Sequence, residues 1–184
     1  MRVVMLDAPQ ELLDERRRLG QDVRDEMWDG VLHMVPPPGD PHQEFGIEFM
    51  LVVGPIAKRL GLLPRYETGL FRTDTDYRVP DQMFCRPEQR SKRGAEGADV
   101  VLEIRSKDDE TYAKIDFYSE RGVREMLVAH PEEGRVELLR SVGGRLIPMQ
   151  PGPDGEHTSE VLGIALRTVD GKLEITWDGG SAVV

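Results

Sequence analysis

The sequence predicts a mixed α/β fold, a central sheet with helices packed against it, and three observations carry that prediction. Residues 98–104 are nearly continuous in apolar character apart from Asp99 and Glu103, the pattern of a strand covered on both faces. A helical segment and a second apolar run at 126–129 follow, an order that fits a right-handed parallel crossover. Upstream, Phe45, Phe49, Val52, Val53, Ile56 and Leu60 recur at the spacing of one helical face.

The remaining elements can be read in chain order. Asp7-Ala-Pro9 starts a short helix, with an aspartate cap, a proline in the first turn, and Leu12 and Leu13 on its apolar side. Asp29-Gly30 between Met27-Trp28 and Val31-Leu32 is a hairpin signal, because that dipeptide tolerates the positive φ angles of tight turns. Prolines 36–38 and Gly39 end this element. The long helix starts at Asp40-Pro41, with Gln43 placed as in a capping box and Gly61 as terminator, and Gly54-Pro55 predicts a kink. Two strands are expected at 62–71 and 77–85, parted by Thr73-Asp-Thr-Asp76, and the second carries Asp81 near its middle. After the 98–104 strand, Asp108 or Asp109 caps a helix holding Tyr112, Ile115, Phe117, Tyr118 and Arg121, closed by Gly122. Strands at 126–129, 135–140 and 146–149, a Pro/Gly-rich loop at 150–157 and two short strands within 158–177 complete the chain. Its 184 residues suit one domain, 1–184, without internal repeats.

A net charge of -10 weighs against simple neutralisation of a nucleic-acid backbone. It does not exclude a nucleic-acid substrate, since a metal site concentrates acids, and the loop with Arg86, Arg90, Lys92 and Arg93 offers local positive charge. The plain reading of that loop is a solvated connection. No stretch approaches the roughly 20 apolar residues of a membrane span, and the initial apolar run is too short for a secretory signal, so a cytoplasmic location is expected. Cys85 has no partner for an internal disulfide and reads as a small apolar strand residue. His33, His130 and His157 lack zinc spacing, and neither a nucleophile elbow nor a phosphate-cradling glycine loop is present.

The chemistry concentrates between Pro80 and Glu125. Glu103 sits inside an apolar strand, where an unpaired charge is costly, so a metal, a lysine or an arginine should neutralise it. Asp81 follows a proline and could be a turn acid. Projected from neighbouring strands, the two carboxylates would suit a hard divalent cation. Lys114 and Tyr118 follow at helical spacing. Their plain readings are a surface ion pair with Asp109, Glu110 or Asp116, and a core aromatic with a wet hydroxyl. His42 beside a helix start is ordinarily a surface residue, and Glu44 and Glu48 are ordinarily solvated.

Together, Pro80-Asp81, Glu103-x-x-Ser106 and Lys114-x-x-x-Tyr118-x-x-x-Gly122-Val123-x-Glu125, with Asp29-Gly30, prolines 36–38 and His42 upstream, resemble the Uma family, described as restriction endonucleases of the PD-(D/E)XK nuclease superfamily. The resemblance spans roughly residues 10–175. It implies a restriction-endonuclease-like mixed central sheet flanked by helices, with extra N- and C-terminal strands. It also implies a metal-dependent endonuclease acting on DNA, with Mg2+ or Mn2+ on Asp81, Glu103 and the Ile104 carbonyl, and a homodimeric assembly. In this family the superfamily lysine has moved to the following helix, which maps onto Lys114; the position two after Glu103 is Arg105. Arginine cannot act as a general base but can hold a phosphate or hydroxide. His42 maps beside the site, with Tyr118 as a further participant. The chain departs from the family in a short 103–114 segment, in Lys107 where proline is usual, and in Met126-Leu127 and His130 where an aromatic pair and an aspartate are frequent. Lys107 is therefore a substitute for Lys114. The alternatives are an inactive nuclease-fold module that binds nucleic acid or protein, and a structural protein that dimerises through exposed strands.

Overall fold

The computed structural model describes residues 3–106 and 109–184. It opens with β1 (Val3–Met5), α1 (Gln10–Arg18), the hairpin of β2 (Glu26–Trp28) and β3 (Val31–Met34), and the long α2 (Asp40–Arg59). The strands β4 (Leu63–Tyr66), β5 (Leu70–Thr73), β6 (Asp76–Arg78), β7 (Gln82–Cys85), β8 (Arg90–Ser91), β9 (Gly94–Ala95) and β10 (Val100–Ile104) follow. A 3-10 turn, Thr111–Lys114, runs into α3 (Ile115–Glu120), and β11 (Glu125–His130), β12 (Arg135–Val142) and β13 (Arg145–Pro148) come next. The last strands are β14 (His157–Ser159), β15 (Ile164–Val169), β16 (Lys172–Trp177) and β17 (Gly180–Val183).

The central sheet is mixed, in the order β13-β12-β11-β10-β7-β4, with β10 and β11 parallel and the other pairs antiparallel. This bears out the parallel strand-helix-strand reading. Side chains alternate across β10 as the pleat requires. Val100, Leu102 and Ile104 join Phe45, Phe49 and Val53 of α2 and Ile164, Leu166 and Ile175 of the C-terminal strands. Val101 faces the other way, into a second cluster with Phe117 and Tyr118 of α3 and Met126 and Val128 of β11. Glu103, two residues after Val101, points to that α3 side.

A second sheet has the order β1-β3-β2-β6-β5-β9-β8. Asp29 (φ 48°) and Gly30 (φ 89°) make the β2-β3 turn, both in the left-handed region that the Asp-Gly pair tolerates. Residues 62–85 thus hold four strands in two sheets instead of two strands. The chain leaves the second sheet after Arg78 and enters the central sheet at Gln82, so Asp81 lies in the bridge between them, not within a strand. The polar cluster at 73–76 makes the expected turn between β5 and β6.

Two helix starts differ from expectation. Pro9, not Asp7, precedes α1, and none of its residues is fully buried. Gly39 occupies the cap of α2, so no Asp40 capping box forms; the Gln43 side chain instead bonds Tyr66 (2.8 Å) and Glu67 (3.3 Å). The helix continues through Pro55, and Gly61 (φ 78°) follows its end.

The C-terminal segment forms a four-strand antiparallel meander, two strands more than expected. Buried Glu125 ties it to the central sheet by accepting from Ser159 Oγ (2.5 Å) and the Glu160 N–H (3.0 Å), and Arg140 of β12, paired with Glu125 at 3.1 Å, donates to the Thr158 carbonyl at 2.7 Å. No helix among the described residues is long and apolar enough to cross a membrane.

Candidate functional site

The crossover from β10 to β11 determines what Glu103 meets. Lys114 and Tyr118 lie one helical turn apart, so both face the sheet, and both are buried. The Lys114 ammonium donates to Glu103 Oε1 and Oε2 at 3.1 and 3.2 Å and to Glu26 Oε1 at 2.8 Å. The Tyr118 hydroxyl donates to Glu103 Oε1. The same Glu26 accepts the Val79 N–H at 2.9 Å and the Trp28 indole N–H at 2.8 Å.

Asp81 approaches from the bridge between the sheets. One of its oxygens accepts the Ile104 N–H at 2.7 Å, which ties the acid to the end of β10. The other faces His42 Nε2 at 3.3 Å and Arg24 Nη2 at 3.2 Å, and Arg24 also pairs with Glu67. His42 projects from the first turn of α2, and its Nδ1 is buried without a hydrogen-bond partner.

Three buried acids, Asp81, Glu103 and Glu26, therefore lie around one buried lysine that bonds Glu103 and Glu26, and Glu103 is the acid that most readily takes up a proton. Burial pushes its carboxyl up to about 8; Lys114 opposes this, Asp81 and Glu26 add to it, and Tyr118 opposes it. Burial also raises Glu26, but the Lys114 charge and the donated hydrogen bonds outweigh it and hold this carboxyl below its ordinary value. Asp81 is likewise held low, burial being outweighed by His42 and the Ile104 N–H. On Lys114 burial acts downward, and the Glu103 and Glu26 carboxylates overcome it, keeping the ammonium protonated.

These groups open onto a cleft of about 530 Å³, walled by prolines 36–38 on one side and by Asp109, Glu110 and Thr111 on another. Asp81, Glu103, Ile104, His42 and Lys114 all line it, and Tyr118 supports Glu103 from behind. Arg105 is not brought in: it pairs with Asp109 at 3.4 Å and stacks over the Tyr112 ring at 4.8 Å. Lys107 and Asp108 lie outside the described residues. Glu44 and Glu48 are exposed on α2, away from the cleft lining. The basic loop also stays outside; Arg86 pairs with Asp99 and Arg93 with Asp74. His33 and His130 bond Glu110 and Glu137, and Cys85 is buried in β7.

Sequence reasoning missed two cleft residues, Arg24 and Glu26. Nothing local marks Glu26, because the lysine that explains it lies 88 residues further on. Its one legible sign is an acid beside Met27-Trp28 in a hairpin.

The donor set suits a hard divalent ion. Asp81 and Glu103 offer carboxylate oxygens to the cleft that Ile104 also lines, and Mg2+ typically takes one or two carboxylates with water filling the rest. Among the described residues no three His, Cys, Asp or Glu side chains are grouped to hold an ion. Glu103 would exchange its contacts with Lys114 or Tyr118 for the ion.

A family model, Uma2, described as "Putative restriction endonuclease", matches residues 9–170. Among solved structures, the chain is similar to a crystal structure from Anabaena variabilis ATCC 29413 described as "a putative nuclease belonging to DUF820". The two share 19% identity over 82% of this chain and 89% of that one, with a TM-score of 0.63, a likeness that establishes the fold. No curated protein matches. The restriction-endonuclease-like fold expected from the sequence is thus borne out, and family and fold together support a nuclease function. The chain belongs to the Uma2 family.

Proposed function

We propose that this cleft hydrolyses phosphodiester bonds of DNA with the help of Mg2+ or Mn2+. The observation that carries the reading is the convergence of Asp81, Glu103 and Lys114, from a bridge, a strand and a helix, on one cleft. Asp81, Glu103 and the Ile104 carbonyl would hold the ion, which when bound would lower the pKa of water and offset charge on the reacting phosphate. Lys114 stays protonated and so acts as a fixed cation that orients phosphate or water, not as a base. Lys114 takes this role ahead of Arg105 because its ammonium already touches Glu103, whereas Arg105 is paired with Asp109. His42 orients Asp81 and Tyr118 orients Glu103. The active unit is one domain, 1–184, working as a homodimer that offers one cleft to each strand of a duplex.

One observation favours the second reading, a binding module without catalysis. Lys114 is held between two carboxylates, an arrangement that a purely structural ion pair would share. Incubation of plasmid and single-stranded DNA with Mg2+, Mn2+ or EDTA separates the two. The nuclease reading expects metal-dependent nicking that vanishes in Glu103→Ala; undiminished cleavage by that variant would refute the proposed ligand.

A further inference from the structure

Glu26 is more rigidly held than charge balance requires. It is 1% exposed, on the hairpin of the second sheet, and it accepts three hydrogen bonds. Val79 contributes a backbone N–H from the bridge that also carries Asp81. Trp28 contributes its indole N–H, with the ring stacked on His33 (4.3 Å between centroids) and covered by the Arg78 guanidinium at 4.2 Å. The ammonium of Lys114 lies closer to Glu26, at 2.8 Å, than to either oxygen of Glu103, at 3.1 and 3.2 Å. Burying two carboxylates beside one lysine costs several kcal/mol of desolvation, and a single carboxylate would be enough to neutralise that lysine.

The alternative of a third metal ligand meets a geometric obstacle. Glu26 Oε1 is engaged by Lys114 and Val79 and Oε2 by Trp28. Turning either oxygen to an ion would strand a buried N–H, which is costly. Glu103 is in the opposite position, since its donors, Lys114 and the Tyr118 hydroxyl, both sit on side chains that rotate.

We propose that Glu26 is the positioning residue for Lys114: it keeps the ammonium at the cleft when Glu103 turns to the metal ion. This rests on the nuclease reading above, in which Glu103 is a ligand. Without Glu26, Lys114 would lose its fixed partner at the moment its other carboxylate is recruited, and its long side chain would be free to leave the reacting phosphate. Glu26 touches neither ion nor substrate in this arrangement; it acts through Lys114.

The test uses the full chain and three measurements on Glu26→Gln, an isosteric change that removes the negative charge facing Lys114 and keeps one oxygen to accept from Val79 or Trp28. First, kcat for DNA cleavage should fall by about 10- to 100-fold, the range for a residue that orients a catalytic group, while Mg2+ affinity falls by less than about tenfold. Second, in a Lys114→Met background Glu26→Gln should cause no further loss, because a residue acting through Lys114 has nothing left to position. Third, the 15N-labelled ammonium resonance of Lys114, assigned by its disappearance in Lys114→Met, should persist when Mg2+ is added to wild type and vanish in Mg2+-bound Glu26→Gln. A loss of Mg2+ affinity of about tenfold or more in Glu26→Gln would make Glu26 a ligand and overturn the proposal. So would an additive effect in the Lys114→Met background, or loss of the wild-type resonance on adding Mg2+. A wild-type protein that neither binds Mg2+ nor cleaves DNA refutes the nuclease reading itself. An active wild type matched by Glu26→Gln refutes the positioning role alone.

Discussion

Replacing Glu103 by glutamine should flatten the pH dependence of stability in the metal-free protein. The Glu103 carboxyl is pushed from its ordinary 4.5 to about 8, by burial first. Between these values the folded chain holds a proton that the unfolded chain has released. Stability from this group is therefore complete below 4.5 and is lost as pH rises towards 8. At about 1.4 kcal/mol per pH unit, the loss across that window is at most about 5 kcal/mol. Lys114, raised above its ordinary 10.5, loses its contribution only as pH climbs beyond that value, and Asp81, lowered from 3.8, acts only in acid, so neither cancels the trend. Urea denaturation in EDTA at a series of pH values from 5 to about 8.5 measures it directly. Wild type should lose stability steadily, and Glu103→Gln, with no proton to release, should lose far less. Parallel curves for the two proteins would refute the assignment of the shared proton to Glu103. The same proton competes with the ion: below about pH 8, Mg2+ affinity should rise about tenfold per pH unit, with proton release detectable by calorimetry in buffers of different ionisation enthalpy.

Other outcomes follow from the same contacts. Asp81→Asn should abolish metal-dependent cleavage, measured on plasmid, and lower stability by about 1–3 kcal/mol by weakening the acceptor for His42 and Arg24. In wild type the Asp81 contribution is present above 3.8 and fades as pH falls through its lowered value, so denaturation midpoints of the two proteins should converge in strong acid. Glu125→Gln should cost about 2–3 kcal/mol in denaturation experiments by weakening the tie to Arg140, Ser159 and Glu160, with kcat of the remaining folded protein unchanged. Gly134→Ala should destabilise strongly, since an added Cβ would stand 2.3 Å from the Gly171 carbonyl oxygen, and thermal denaturation would show a lowered midpoint.

The sequence was most legible where chemistry and local geometry coincide. The Asp29-Gly30 hairpin needs only the φ tolerance of two residues, and the β10 strand announces itself because a doubly covered strand must be apolar on both sides. Glu103 stood out for the same reason, as a charge where none is affordable without a partner. Contacts across long sequence distances were hidden. Glu26 finds its lysine, and Arg24 its Glu67 and Asp81, only after two sheets assemble, and no period or spacing encodes that meeting. The run from 62 to 85 reads as two strands because apolar pattern does not reveal when a chain changes sheets. The basic loop carried charge but not direction: Arg86 and Arg93 answer to Asp99 and Asp74, outside the cleft.

The bridge from Arg78 to Gln82 gives this protein an unusual mechanical economy. Within three residues it sends the Val79 N–H to one sheet's glutamate and the Asp81 carboxylate to the last strand residue of the other. Any sliding or rotation between the two sheets would therefore pull both contacts at once, and a ligand that grips Asp81 would resist that motion. The cleft is thus also a seam: its occupant would act as a rivet, and the stiffness of the whole molecule under force or protease should report whether the site is filled.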